Sequence, residues 1–198
     1  RGFGSRRQEI RVAPPDRPPL VHFTGGEEPL RLVDLGRPGA PEPTLLLPWR
    51  PVAQALRIGP EGRLVPAPSP FAALPTGTRV VDAAAGDMDG DGAPEIFAAI
   101  LRAGVGSGFA ILGRGAEAAW RVLAEDVSSA YDAQSLVAGD ADGDGRLEAI
   151  VLFHYQAGGH WLVHWDRTAA APVRVEWAPR GVSRPWVRAG VIGDLDGD

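Results

Sequence analysis

Asp87-Met88-Asp89-Gly90-Asp91-Gly92-Ala93-Pro94-Glu95 is the stretch whose reading decides the fold. It returns as Asp140-Ala141-Asp142-Gly143-Asp144-Gly145-Arg146-Leu147-Glu148. Its first five positions return once more as Asp194-Leu195-Asp196-Gly197-Asp198. The copies start 53 and 54 residues apart. Each full copy has acids at positions 1, 3, 5 and 9 and glycine at 4 and 6. An acidic loop on a fixed period points to a repeat protein whose repeats are held by a hard cation.

Calcium takes six to eight oxygen ligands in a flexible shell, and alternating acids turn inward together when the backbone curls around the ion. Gly92 and Gly145 fall where that curl needs a conformation costly for a residue with a Cβ. Position 7 (Ala93, Arg146) offers its backbone carbonyl, so its side chain is free to vary. The expected ligands are therefore Asp87, Asp89, Asp91, Ala93 and Glu95, and Asp140, Asp142, Asp144, Arg146 and Glu148. Asp194, Asp196 and Asp198 begin a third set without its closing residues. Without an ion the crowded carboxylates repel one another or raise their own pKa values. A divalent cation removes that repulsion and couples the loop to folding. Magnesium fits less well because it demands strict octahedral geometry, and zinc less well still, with no cysteine in the chain.

The flanks exclude an EF-hand, whose loop closes with Glu at position 12 between helices. Here the closing acid is at position 9, and Ile96-Phe97-Ala98-Ala99-Ile100-Leu101 and Ala149-Ile150-Val151-Leu152-Phe153 follow it. Such short apolar runs read as buried strands. Strand signals come in fours: Glu95–Leu101, Phe109–Leu112, Trp120–Leu123 and Ser135–Ala138, then Leu147–Tyr155, Trp161–Asp166, Val173–Trp177 and Trp186–Ile192. Four short antiparallel strands per repeat of about 50 residues is the pattern of a β-propeller blade. One period upstream lies Asp34-Leu35-Gly36-Arg37-Pro38-Gly39-Ala40-Pro41-Glu42. It keeps the first and ninth acids but has lost those at 3 and 5, so it reads as a worn copy that holds no ion.

The run Gly-Asp-x-Asp-Gly-Asp-Gly-x-x-Glu, between a short strand and an apolar one, resembles the FG-GAP/VCBS repeat. That family includes the calcium-bearing blades of integrin α-chain propellers and many bacterial secreted proteins. The resemblance covers residues 30–198. The stretch from Ala55 to Gly92 adds to it: a strand, a Gly-Pro-Glu-Gly turn, Arg63-Leu64-Val65, then Val80-Val81 into the loop. The Phe-Gly signature appears only in reversed order, as Gly108-Phe109. The resemblance implies an all-β propeller of four-stranded blades in which each loop joins the first two strands.

The domain reading is a Pro/Arg-rich linker over 1–29, a degenerate repeat near 30–80, calcium repeats near 80–134 and 135–190, and a truncated repeat over 191–198. The linker carries Arg6-Arg7 and Pro14-Pro15-Asp16-Arg17-Pro18-Pro19. The chain starts with Arg and stops inside a metal loop, which reads as a piece of a longer protein. It has no cysteine, so disulfide staples and thiol chemistry are excluded. Its net charge is −5, with no basic stripe for nucleic acid and no apolar run long enough to span a membrane. Millimolar calcium outside the cell suits such loops, which points to a secreted, cell-surface or periplasmic protein.

Four tryptophans, Trp161, Trp165, Trp177 and Trp186, gather late with His154, His160 and His164. Strand alternation puts His160, Leu162 and His164 on one face and Trp161, Val163 and Trp165 on the other. The tryptophans are expected to pack between blades and the histidines to sit on a polar sheet face; alternatively, the histidines ligate a transition metal or line a ligand site. Ser107, Ser128 and Ser129 lack a nucleophile elbow, and the paired acids are committed to the cation, so the chain reads as no enzyme. The expectation is an exported calcium-binding scaffold presenting loops to a protein or glycan. The alternatives are a lectin-like propeller with exposed tryptophans, or the non-catalytic part of an exported enzyme.

Overall fold

The computed structural model describes residues 31–36, 42–48, 54–59, 63–115, 119–129, 132–140, 146–153, 160–165 and 173–177. The expected linker, the centre of the second loop, the third loop and the Trp186–Ile192 strand lie outside the described residues.

The described chain is all-β and forms three four-stranded antiparallel sheets. Sheet I is β1 (Arg31–Asp34), β2 (Pro43–Leu47), β3 (Gln54–Ile58) and β4 (Leu64–Ala67). Sheet II is β5 (Thr78–Gly86), β6 (Glu95–Arg102), β7 (Gly106–Arg114) and β8 (Trp120–Ser129). Sheet III is β9 (Ala133–Gly139), β10 (Glu148–Phe153), β11 (His160–Trp165) and β12 (Val173–Trp177). In every sheet the strands pair in chain order, each with the next. The first acidic loop joins β5 to β6, the second joins β9 to β10, and the worn copy joins β1 to β2. All three therefore link the first two strands of a sheet. No closed ring of sheets is present among the described residues.

Sheet II is the middle layer. Its strand β5 touches both β1 and β9. Alternation along β6 sends Ile96, Ala98 and Ile100 toward sheet I and Phe97 and Ala99 toward sheet III. With both faces covered, β6 needs apolar residues throughout, which explains its unbroken apolar sequence. Phe97 and Phe109 stack with ring centroids 5.2 Å apart, and Trp161 meets Phe109 edge-on at 6.2 Å. Each such fully buried ring contributes roughly 1.5–3 kcal/mol from its area alone. A bulge at Val81 breaks the alternation of β5, so Val80 and Ala83 face sheet I while Val81 faces sheet III.

Strands β7 and β8 run longer than their apolar cores suggest. Gly106, Ser107 and Gly108 look like a turn in sequence but lie inside β7. A Cβ on Gly108 would overlap the Asp126 carbonyl oxygen and come within 2.9 Å of Trp161 Cζ3. Glycine lets β8 and the indole close in on the same spot. The far end of β8 is polar because it is an outer strand, where Glu125 pairs with Arg102 at 2.7 Å.

Candidate metal centre

The first loop is tied together by its own carboxylates. Asp87 Oδ1 accepts from the Gly90 amide at 2.8 Å, and Asp87 Oδ2 accepts from the Gly92 amide at 2.9 Å. Asp89 Oδ1 accepts from the Asp91 amide at 3.1 Å, and Asp91 Oδ1 from the Ala93 amide at 2.8 Å. Gly90 and Gly92 have φ of 77° and 81°, in the left-handed region that favours glycine. The alternating acids thus curl the backbone so that their side chains share one side.

Glu95, the first residue of β6, closes the loop. It is 4% exposed, and its Oε2 accepts from the Met88 amide at 3.0 Å. Oxygen atoms of Asp87, Asp89 and Glu95 lie within 4.8 Å of one another. A cation that holds oxygens at about 2.3–2.6 Å bridges a span of that size. Asp91 is exposed and stands outside this triad. Burial pushes the Glu95 carboxyl up to about 7. The Met88 amide opposes that rise, and the charges of Asp89, Asp91 and Asp87 add to it. A site that resists its own negative charge fits a bound cation, and an all-oxygen donor set fits a hard one. Those residues alone do not select calcium over another hard cation.

Of the second set, Asp140, Arg146 and Glu148 are described, and Asp142 and Asp144 are not. Glu148 is 4% exposed at the start of β10, the place Glu95 holds in β6. His164 Nδ1 lies 3.8 Å from Glu148 Oε1. Among the described residues, Asp87, Asp89 and Glu95 make the one group of three or more potential ligands, and His164 belongs to none. The two loops approach each other. Arg146 Nε is 3.6 Å from where a Cβ on Gly90 would sit, and a Cβ on Gly86 would overlap Leu147. Asp194, Asp196 and Asp198 lie outside the described residues.

The worn loop is closed differently. Asp34 Oδ1 accepts from the Gly36 and Glu42 amides at 2.8 and 2.7 Å. The ninth-position acid turns away: Glu42 Oε2 meets Arg114 Nη2 of sheet II at 2.8 Å. A guanidinium from the next sheet neutralises the acid that closes the other loops. Arg114 also lies over the Trp120 ring, 5.0 Å from its centroid.

Trp161 and Trp165 are buried between sheets II and III, and the expected alternation of β11 holds, with Val163 on the same face. The side chains of His160 and Trp177, and residues His154 and Trp186, lie outside the described set.

Two residues escaped the sequence reading. Met88, 1% exposed, plugs the core between sheets II and III while its amide holds Glu95. The signal was an apolar residue at position 2 of every copy, Leu35, Met88, Ala141 and Leu195. Leu35 is buried in the same way, against sheet II. Asp82 is the other. It is 1% exposed, and it accepts from Arg31 Nε at 2.9 Å and Nη2 at 2.6 Å. It also accepts from Ser135 Oγ at 3.2 Å and the Leu136 amide at 3.0 Å. One carboxylate on β5 thereby holds donors from β1 and β9. The signal was a lone acid inside the apolar run Val80-Val81-Asp82-Ala83-Ala84, since a buried charge requires partners.

The chain matches no family model, no curated protein and no solved structure.

Proposed function

We propose that this chain is a calcium-stabilised, non-catalytic binding module built from β-propeller blades and working outside the cytosol. The observation that carries the reading is the convergence of Asp87, Asp89 and buried Glu95 at the connection between the first two strands of a four-stranded sheet. The same acidic pattern recurs on the period of the sheets, which supports a blade repeat. Asp87, Asp89 and Glu95 would hold the ion, with Asp91 and the Ala93 carbonyl as further oxygen sources. Bound calcium supplies positive charge that offsets the repulsion among these acids. The chain's own work is to fix the loop: Met88 anchors it in the core, and Asp87 gathers its two glycine amides. A loop held so firmly keeps the neighbouring connections in place for a protein or glycan partner. Burial of Trp161 and Trp165 takes two of the rings that a lectin reading would use, and so favours the scaffold reading.

The test is a thermal melt in calcium, in magnesium and in chelator. At a calcium concentration near a hundred times Kd, linkage gives about 2.7 kcal/mol and a midpoint rise of about 5–10 °C. Asp89→Asn, which keeps an acceptor for the Asp91 amide, should remove the first loop's share of that rise and leave the chelator melt unchanged or slightly higher. Equal melts of the wild type in calcium and chelator would sink the proposal.

A further inference from the structure

The loop that gathers the acids also contains two chemically fragile bonds, Asp89-Gly90 and Asp91-Gly92. An aspartate followed by glycine is open to attack by the next amide nitrogen, because glycine has no side chain to shield it. The glycine nitrogen adds to the Cγ of the preceding, protonated carboxyl. A C–N bond forms, and the amide proton and the carboxyl OH leave together as water. Water then reopens the cyclic imide at either carbonyl. Entry at the side-chain carbonyl restores aspartate, and entry at the main-chain carbonyl leaves isoaspartate. No oxidant, reductant or co-reactant other than water is needed.

Both attacking nitrogens are held by one residue. The Gly90 N–H is donated to Asp87 Oδ1 at 2.8 Å and the Gly92 N–H to Asp87 Oδ2 at 2.9 Å. An amide whose proton rests on a carboxylate is hard to deprotonate, and it must give up a charge-assisted hydrogen bond before it can turn. The two carboxyls that would be attacked are also engaged beyond the glycine, Asp89 on the Asp91 amide and Asp91 on the Ala93 amide. Four hydrogen bonds therefore hold nucleophile and electrophile apart at both bonds. Met88 seats the loop in the core from the position next to Asp87, so the clamp does not drift with solvent.

We propose that Asp89 and Asp91 are sites of spontaneous isoaspartate formation, kept closed by Asp87, which shields both glycine amides. Release of the clamp opens the sites. Isoaspartate adds a methylene to the main chain and moves the carboxylate, so the modified loop loses the convergence of Asp87, Asp89 and Glu95 for good. This rests on hydrogen bonds within the protein and stands apart from whether the loop binds calcium.

The experiment is run on the full chain in chelator at neutral pH. Isoaspartate at Asp89 and Asp91 is measured over time by peptide mapping. The samples are folded wild type, denatured wild type and folded Asp87→Ala, with folding checked by circular dichroism. Folded wild type should accumulate isoaspartate severalfold more slowly than the denatured chain at both positions. Asp87→Ala should approach the denatured rate at both. Asp87→Asn keeps one acceptor oxygen and should raise the rate at one bond more than at the other, which keeps the test open if the alanine variant does not fold. Equal rates in folded and denatured wild type would overturn the proposal, as would a folded variant that ages like the wild type.

Discussion

Asp82 shows how much one side chain holds in this molecule. Its carboxylate is almost fully buried and serves donors from β1, β5 and β9. Removing it leaves the Leu136 amide and the Ser135 hydroxyl without their acceptor inside the protein. Each orphaned donor costs about 1–3 kcal/mol, so Asp82→Ala should lower stability by about 2–6 kcal/mol in urea titrations. Arg31→Ala should cost less, because the Arg31 side chain is 40% exposed and its loss leaves the other donors in place. Glu95 gives a pH signature. Its folded-state pKa is raised from 4.5 to about 7, so the folded metal-free chain binds this proton more tightly than the unfolded one. The stability it contributes is fully present below pH 4.5 and is lost as pH rises through 7. In chelator, the difference in stability between wild type and Glu95→Gln should therefore shift against the wild type from pH 5 to pH 8. A flat difference across that range would contradict the burial of this carboxyl. Both predictions rest on single residues, and their legibility differed. Glu95 was visible because it completes a spaced motif. Asp82 was not, because its partners lie 51 to 54 residues away and only the folded sheets bring them to it.

At the scale of elements, four strands per repeat are readable from apolar runs and punctuating glycines, but the frame is not: the sequence groups Ser135–Ala138 with Glu95–Leu101, whereas that strand opens sheet III as β9 and β5 opens sheet II. The place of each loop between first and second strands is what the family resemblance implies. Strand lengths were less legible. In β7, Gly106 and Gly108 carry the sequence mark of a turn yet lie within the strand, where the Val127 carbonyl crowds Gly106 and the Asp126 carbonyl and Trp161 ring crowd Gly108 too closely for a Cβ. Gly108→Ala should push β8 or Trp161 aside and cost about 1–3 kcal/mol, read as a lower denaturation midpoint by tryptophan fluorescence. An unchanged midpoint would mean that the sheets absorb a methyl there without strain. The alternation along β11 was legible in advance, since a strand has period two. The buried face was legible as well, since the sequence puts the tryptophans inside, and Trp161 packs there against Phe109 and Phe153. The worn loop followed its sequence as far as the capping Asp34. Its partner in neutralisation, Arg114, lies 72 residues from Glu42 and had no local mark.

In the whole molecule, sheet II is bounded by two unlike seams. The seam with sheet I is closed by apolar packing and the Glu42–Arg114 pair. The seam with sheet III carries Met88 and the adjoining acidic loops, so any cation the loops hold acts on that side. Asp82 sits where both seams meet. A chain with only sheets I and II formed leaves its carboxylate short of the Ser135 and Leu136 donors, and one with only sheets II and III leaves it short of Arg31. Either half-assembled species leaves that carboxylate without donors it has in the complete fold, which lowers the species' share of the ensemble at equilibrium. Probes placed in sheets I and III should accordingly report one shared, all-or-none transition, and Asp82→Ala should split it into two. The price of one shared acid is thus a molecule that resists coming apart one sheet at a time.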